Sequence, residues 1–168
     1  MDKGYLVVNN LITELEAAAI VSLMDTVLTS RDLTKALKNY SRHVADWTLI
    51  GSSMYTQIND KLKELMPKTL QWRGQQFALY GLAKAVEMVH FDFLTGGALT
   101  KNFYTINLYL NTTDGGNLKD NKTIVTQPIS GRCAIIDMHT WHSSSKVNTG
   151  SKYLLKSHIA YSLCHCQN

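Results

Sequence analysis

Cysteine is scarce and odd in number. Cys133, Cys164 and Cys166 are the three in 168 residues, which argues against a disulfide framework. Nowhere does the chain approach the ~20 consecutive apolar residues of a membrane span. Its first stretch, MDKGYLVVNNLITELEAAAIV, sets acids inside the apolar run, so no signal-type core forms. The expectation is a cytoplasmic (cytosolic or nuclear) protein with no membrane partner. A strong excess of one charge is lacking too: 17 Lys and Arg against 13 Asp and Glu leave +4. The basic residues are spread along the chain, without the polybasic footprint of nucleic-acid binders, so nucleic acid is disfavoured as a partner. The balance does suit an anionic small ligand. Internal repeats and low-complexity tracts are absent, and the only prolines are Pro67 and Pro128.

What remains is ordinary for a globular chain, with 45% hydrophobic and 18% charged residues. Its length fits one domain, 1–168, large enough to bury a core. A short apolar run, Tyr5 to Val8, precedes a helix predicted from about Thr13 to Leu28, with Thr13 as its cap and apolar residues at Leu15, Ala18, Ala19, Val21, Leu23 and Met24. Residues 30–52 are polar and irregular, with Trp47 and Ile50 as anchors. A second helix is predicted from Met54 to Met66, with Ile58, Leu62 and Leu65 on one stripe, ended by Pro67. Beyond it come short β-rich runs: Phe77–Tyr80, Val86–Phe93, Tyr104–Leu110, Ile124–Gln127, Cys133–Met138 and Tyr153–Leu163. Helices first and strands afterwards point to an α+β fold: a helical part over about 11–67, then a double-stranded β-helix, or jelly roll, over about 72–163. Cys133 sits in an apolar run as a small core residue, and Cys164-His165-Cys166 reads as frayed tail rather than a metal site.

The chemistry begins at VHFDF, residues 89–93. Residues two apart on a strand share a face, so His90 and Asp92 project together while Val89, Phe91 and Phe93 point into packing. An imidazole beside a carboxylate can chelate a divalent metal, and a histidine from a distant strand would complete a two-His, one-carboxylate triad with open positions. A hydrogen-bonded His and Asp on a half-buried strand would look the same. Downstream, GRCAIIDMHTWHSSSKVNTGSKYLLKSHIAYS offers two histidines, His139 and His142, before a final strand. On that strand, alternation sets Lys152, Leu154, Lys156, His158 and Ala160 on one face and Tyr153, Leu155, Ser157, Ile159 and Tyr161 on the other.

Gly131, His142, Val147, Gly150 and Lys152 stand at the spacing found in the prolyl 4-hydroxylase-like branch of the 2-oxoglutarate/Fe(II) oxygenases, which this stretch resembles. The resemblance continues upstream, in Tyr80 preceding His90, in YTINLYLN at 104–111, in DGGNL at 114–118, and in Gln127-Pro128 before Gly131. YLVVNNLITELEAAAIV is similar to the strand and helix that lead into such domains, so the likeness covers about residues 5–163. Asp114 replaces the usual glutamate, Lys146 stands where a proline often precedes the valine, and His158 has no counterpart in the family pattern. The loop Leu94-Thr95-Gly96-Gly97 carries no substrate signature.

The resemblance implies a dioxygenase using Fe(II), 2-oxoglutarate and O2, with ascorbate as a candidate reductant. It implies His90, Asp92 and His142 as metal ligands and catalytic centre, with His139 left in a loop. It implies Lys152 as the cation for the far carboxylate of 2-oxoglutarate, with Lys156 as alternate, and Tyr80 or Tyr109 as a neutral partner of the cosubstrate. An unpaired carboxylate inside a barrel is costly to desolvate, so a cation is needed there. Trp141, Phe77 and Phe103 are expected in packing, with Trp141 near the mouth, and Arg132 is expected to be exposed. A peptidyl, prolyl-type substrate is favoured by analogy. The alternatives are the same chemistry on a small molecule or nucleobase, and a non-catalytic, cupin-like metal-binding module.

Overall fold

The computed structural model describes residues 4–30, 41–46, 51–65, 70–83, 87–90, 102–121 and 123–163; at 26–30, 41–46, 52, 70–83, 87–90, 102–103, 158 and 160–163 it describes the backbone alone. Trp47, Ile50, Met66, Pro67, Asp92, the loop 94–97 and Cys164 to Cys166 lie outside these residues.

Strand β1 (Tyr5–Val8) leads into helix α1 (Glu14–Ser30). The helix starts where its sequence predicts. The Thr13 N–H donates to Glu16 Oε2 at 2.7 Å and the Glu16 N–H to Thr13 Oγ1 at 3.2 Å, a reciprocal capping box. The Thr13 N–H holds the Glu16 carboxyl below its usual range. Ala17, Ile20 and Met24 form the buried stripe of α1, whereas Leu15 and Leu23 face outward. Helix α2 (Ser52–Leu65) buries Ile58 and Leu62, with Leu65 packed against them, as its stripe predicts.

Ten strands accompany these two helices among the described residues. After β1 come β2 (Ser41–Asp46), β3 (Leu70–Ala83), β4 (Glu87–His90), β5 (Asn102–Tyr109), β6 (Leu118–Asp120), β7 (Thr123–Thr126), β8 (Cys133–Asp137), β9 (His142–Ser144) and β10 (Ser151–Leu163). They make a six-stranded sheet ordered β1-β8-β5-β10-β3-β2 and a four-stranded sheet ordered β4-β9-β6-β7, with antiparallel pairing throughout. Three features depart from the sequence-based expectation. Residues 41–46, expected to be irregular, form an edge strand on β3 in the register Ser41↔Ala83 to Asp46↔Ala78. SRHVAD has no apolar alternation, and it is held by main-chain pairing to a long neighbour, which leaves no local signal. β6 and β9 are three residues each, too short to show a period. β3 runs far beyond Phe77–Tyr80 because it pairs with nearly the whole of β10.

The large sheet has two different faces. Ile106, Leu108, Cys133, Ile135, Leu155 and Ile159 pack with α1 and α2 in one cluster. Their neighbours in sequence, Tyr109, Ala134, Ile136 and Leu154, turn the other way and pack on Leu118 of the small sheet. That split at Leu154 and Leu155 is the alternation predicted for the last strand, and each fully buried Leu or Ile contributes roughly 1.5–3 kcal/mol. Cys133 is fully buried, and desolvation pushes its thiol pKa far up, as suits a core residue. Tyr153, on the helix-facing side, donates its hydroxyl to Asp25 Oδ1 at 2.5 Å and so ties β10 to α1. No helix among the described residues is long and apolar enough to cross a membrane.

A turn at Asp114–Asn117 joins the two sheets. Gly116 N–H donates to Lys146 O at 2.9 Å, Asn148 N–H to Asp114 O at 2.9 Å and Asn117 N–H to Ser145 Oγ at 2.9 Å. Gly116 has φ +69°, and a Cβ there would meet Lys152 Cδ at 3.0 Å and Val147 Cγ2 at 3.1 Å.

Two stability outcomes follow. Gly116→Ala, which places a side chain in a left-handed conformation against two neighbours, is expected to lower unfolding free energy by at least about 1–2 kcal/mol in urea titration; an unchanged midpoint would contradict the tight turn. The bond to Asp25, with burial, raises the Tyr153 pKa from 10.0 to about 12. A folded-state pKa above the unfolded one stabilises fully below pH 10.0, and that stabilisation is lost as pH rises through about 12. Wild type should therefore lose melting temperature more steeply than Tyr153→Phe over that window, and parallel curves would refute the assignment.

Candidate functional site

The site lies between the two sheets. A cleft enclosing about 350 Å³ of empty space, part of it open to solvent, is lined by Asn107 and Tyr109 of β5, Lys152, Leu154 and Lys156 of β10, Leu118 of β6, and His142 and Ser144 of β9. Period-two alternation places each set on one face of its strand. Pairing sets them side by side, with Tyr109 opposite Leu154 and Asn107 opposite Lys156.

His142 opens β9 and is 5% exposed. Its Nδ1 lies 3.0 Å from Thr140 O. A carbonyl only accepts, so Nδ1 carries the proton in the neutral ring and the lone pair falls on Nε2. A backbone carbonyl fixing the tautomer in this way is the usual support of a metal-binding histidine. Directly across the ladder from His142 is His90, at the end of β4. Opposed positions of an antiparallel pair are the closest cross-strand neighbours on a sheet. The side chain of His90 and all of Asp92 are outside the description, and among the described residues no three His, Cys, Asp or Glu gather into a metal-holding group.

Lys152 is 4% exposed, an unusual place for an ammonium. Its Nζ donates to Ser144 Oγ at 2.6 Å and to Gly116 O at 3.2 Å, while Ser144 Oγ donates to Gly116 O at 3.2 Å. Backbone and hydroxyl dipoles from the small sheet and its turn thus hold a cation on the large sheet. This is why Gly116 is glycine: the lysine stem runs across the space of its missing Cβ.

Of the residues singled out in the sequence, His142, Lys152 and Tyr109 meet in this cleft, and Lys156 joins them. Tyr80 is on β3, its backbone opposite Leu154 on the far side of β10 from Tyr109. His139 is in the turn after β8, where its N–H bonds Asp137 Oδ1 at 2.8 Å. Trp141 is half exposed. Arg132, expected on the surface, is half-buried instead, donating from Nε to Asn9 Oδ1 at 2.8 Å and from Nη1 to Thr126 Oγ1 and Gln127 O, both at 3.2 Å. Sequence reasoning assigned no role to Ser144, Gly116 or Asn107. Ser144 was findable, standing two residues after His142 on the same strand. For Asn107, its place between Thr105 and Tyr109 gives the face but not the vacancy around its amide.

No protein-family model matches the chain, and no curated protein matches it. Solved structures do. A viral collagen prolyl hydroxylase from Paramecium bursaria Chlorella virus-1, in complex with 2-oxoglutarate, is 15% identical, with a TM-score of 0.68 over 94% of this chain and 96% of that one. A Trichoplax adhaerens prolyl hydroxylase, in complex with a hypoxia-inducible-factor oxygen-degradation-domain peptide, is 12% identical, with a TM-score of 0.70 over 95% and 84%. HygX from Streptomyces hygroscopicus, with nickel and 2-oxoglutarate bound, is 12% identical, with a TM-score of 0.63 over 97% and 84%. The chain therefore shares its mixed helical and antiparallel-sheet fold with prolyl hydroxylases and with a protein that binds 2-oxoglutarate and a metal.

Proposed function

We propose that this chain is an Fe(II)- and 2-oxoglutarate-dependent dioxygenase on a jelly-roll fold, with His90, Asp92 and His142 as metal ligands and Lys152 as anchor of the far 2-oxoglutarate carboxylate. The carrying observation is the nearly buried Lys152 ammonium, seated on two neutral oxygens in the same cleft as His142. Desolvating an ammonium is costly, and a carboxylate brought against it offsets that cost. A molecule with one carboxylate at Lys152 and a second oxygen pair for a metal beside His142 has the required shape, and 2-oxoglutarate is such a molecule.

The donor set fits the metal. The proton on Nδ1 of His142 leaves Nε2 to coordinate, and the ladder puts the position of His90 opposite. When bound, Fe(II) with 2-oxoglutarate and O2 supplies oxidative decarboxylation to succinate coupled to hydroxylation of a C–H bond, and ascorbate serves as a reductant that keeps the metal ferrous. The protein's own part is positioning. Thr140 O holds the imidazole ring of His142 in place, Ser144 and Gly116 hold Lys152, and Leu118 and Leu154 would shield a cosubstrate in the cleft from water. Tyr109, 2% exposed in the cleft, and Tyr80 are the neutral candidates beside it.

A peptidyl, prolyl-type residue is the first substrate reading, supported by the fold shared with prolyl hydroxylases, one of them holding a peptide. A small molecule is the second, supported by the fold shared with HygX, which also has a structure with hygromycin B bound.

Two experiments test the reading. In anaerobic calorimetry with Mn(II) replacing iron, Lys152→Ala should weaken 2-oxoglutarate by roughly two to four orders of magnitude, the equivalent of ~3–5 kcal/mol for a broken buried pair. Lys156→Ala should lose less, and unchanged affinity in Lys152→Ala would remove the anchor. His90→Ala, Asp92→Ala and His142→Ala should each abolish metal binding and succinate release at retained fold, while His139→Ala should retain both; equal damage from His139→Ala would reassign the distal ligand.

A further inference from the structure

Asn107 is 8% exposed, lines the cleft, and its Oδ1 is buried without a hydrogen-bond partner. A buried acceptor left in this state costs about 1–3 kcal/mol, so a vacancy at a site is a demand for a donor. The proposed cosubstrate does not meet it: 2-oxoglutarate at neutral pH presents only acceptors. The donor must come from something else in the cleft.

Directly opposite Asn107 on β10 is Lys156, a half-buried cation lining the same space. Side chains on opposed positions start roughly 5 Å apart, so their polar ends reach neighbouring atoms of one ligand. An acceptor beside a cation is the complement of a donor beside an anion. The two residues sit on the sheet face that carries Lys152 and Tyr109, further along both strands from the Lys152 end.

We propose that Asn107 and Lys156 form a primary-substrate subsite that reads the amino-carboxylate head of a free amino acid, with the ammonium donating to Asn107 Oδ1 and the carboxylate taken by Lys156. This rests on the oxygenase reading above and, of its two substrate readings, favours the small molecule over the peptidyl residue. An acylated residue within a peptide fits worse, because its nitrogen carries at most one amide N–H, none in a prolyl residue, and its carboxylate is gone. Both groups act on the ground-state complex, so they set which molecule is held rather than how its bond is oxidised.

The test is ligand-observed saturation-transfer NMR on the full chain loaded with Zn(II), in place of iron, and 2-oxoglutarate. The probes are the twenty free L-amino acids, each beside its N-acetyl derivative. At least one free amino acid is expected to bind, its N-acetyl partner about tenfold more weakly, as exchange of a charge-assisted hydrogen bond for a neutral amide one implies. Asn107→Leu should abolish the signal, and Asn107→Asp, which keeps an acceptor, should retain it. Silence from all free amino acids, equal binding of the acetylated partner, or loss in Asn107→Asp equal to that in Asn107→Leu would each overturn the subsite. Melting separates a structural role. Removing an orphaned acceptor should leave Asn107→Leu at least as stable as wild type, and a clear fall in melting temperature would show that the amide serves the fold. Calorimetry with 2-oxoglutarate on the same preparations keeps the two ideas apart. Binding in wild type that is lost in Lys152→Ala preserves the oxygenase reading whatever the amino acids do.

Discussion

The burial of one ammonium constrains this site more than any other contact. Lys152 is carried by the large sheet, yet Ser144 Oγ and Gly116 O, which accept from its Nζ, belong to the small sheet and its turn. The contact therefore requires β9, β10 and the Asp114–Asn117 turn to be in register with one another. The turn is fastened to residues 146–148 by main-chain bonds, an isolated bridge pairs Gly115 with Val147, and Gly116 has no side chain to obstruct the lysine stem. An apolar residue at 152 would be cheaper for the fold alone, since buried charges seldom stabilise better than hydrophobic packing of equal volume. The proposed carboxylate ligand would offset that cost.

The large sheet makes this possible by separating its tasks. One face carries Ile106, Leu108, Ile135 and Leu155 against the helices and supplies most of the apolar burial. The opposite face is then free to carry polar residues, since the fold does not depend on it for its main core. Only a small cluster, Tyr109, Ala134, Ile136, Leu154 and Leu118, packs there. Thr105, Asn107 and Lys152 are nearly buried polar residues on that inner side, and Ser144 meets Lys152 from the small sheet. Adjacent positions on β5 and β10 thus serve stability and chemistry in alternation, and a one-residue slip of register would exchange the two.

What was legible in the sequence follows from the range of the forces involved. The Thr13–Glu16 box and the Ile58–Leu62 stripe are set by residues three or four apart, and both emerge as read. The two faces of β10 were legible because period-two alternation persists over a long strand. β2 was not, because its place depends on β3 offering an edge. The cleft was legible in part. His142 and Lys152 stand out by residue type and spacing, whereas Gly116 and Ser144 matter through where a turn and a three-residue strand are brought from elsewhere in the chain. Leu15 and Leu23 mark α1 as helical yet face outward, a reminder that apolar character identifies a helix more readily than it identifies the buried side.

The charges of the cleft carry the last step. Its described lining includes two lysines and a histidine and no carboxylate. A neutral prolyl ring would bring no carboxylate to Lys156 in a partly desolvated space, where Coulomb terms are several times stronger than in water. A free amino acid would leave the net charge unchanged, but it would set its carboxylate beside Lys156 and its ammonium beside the unpartnered Asn107 Oδ1. The gain is local, a carboxylate beside a cation and a donor beside an orphaned acceptor, and one small zwitterion would supply both.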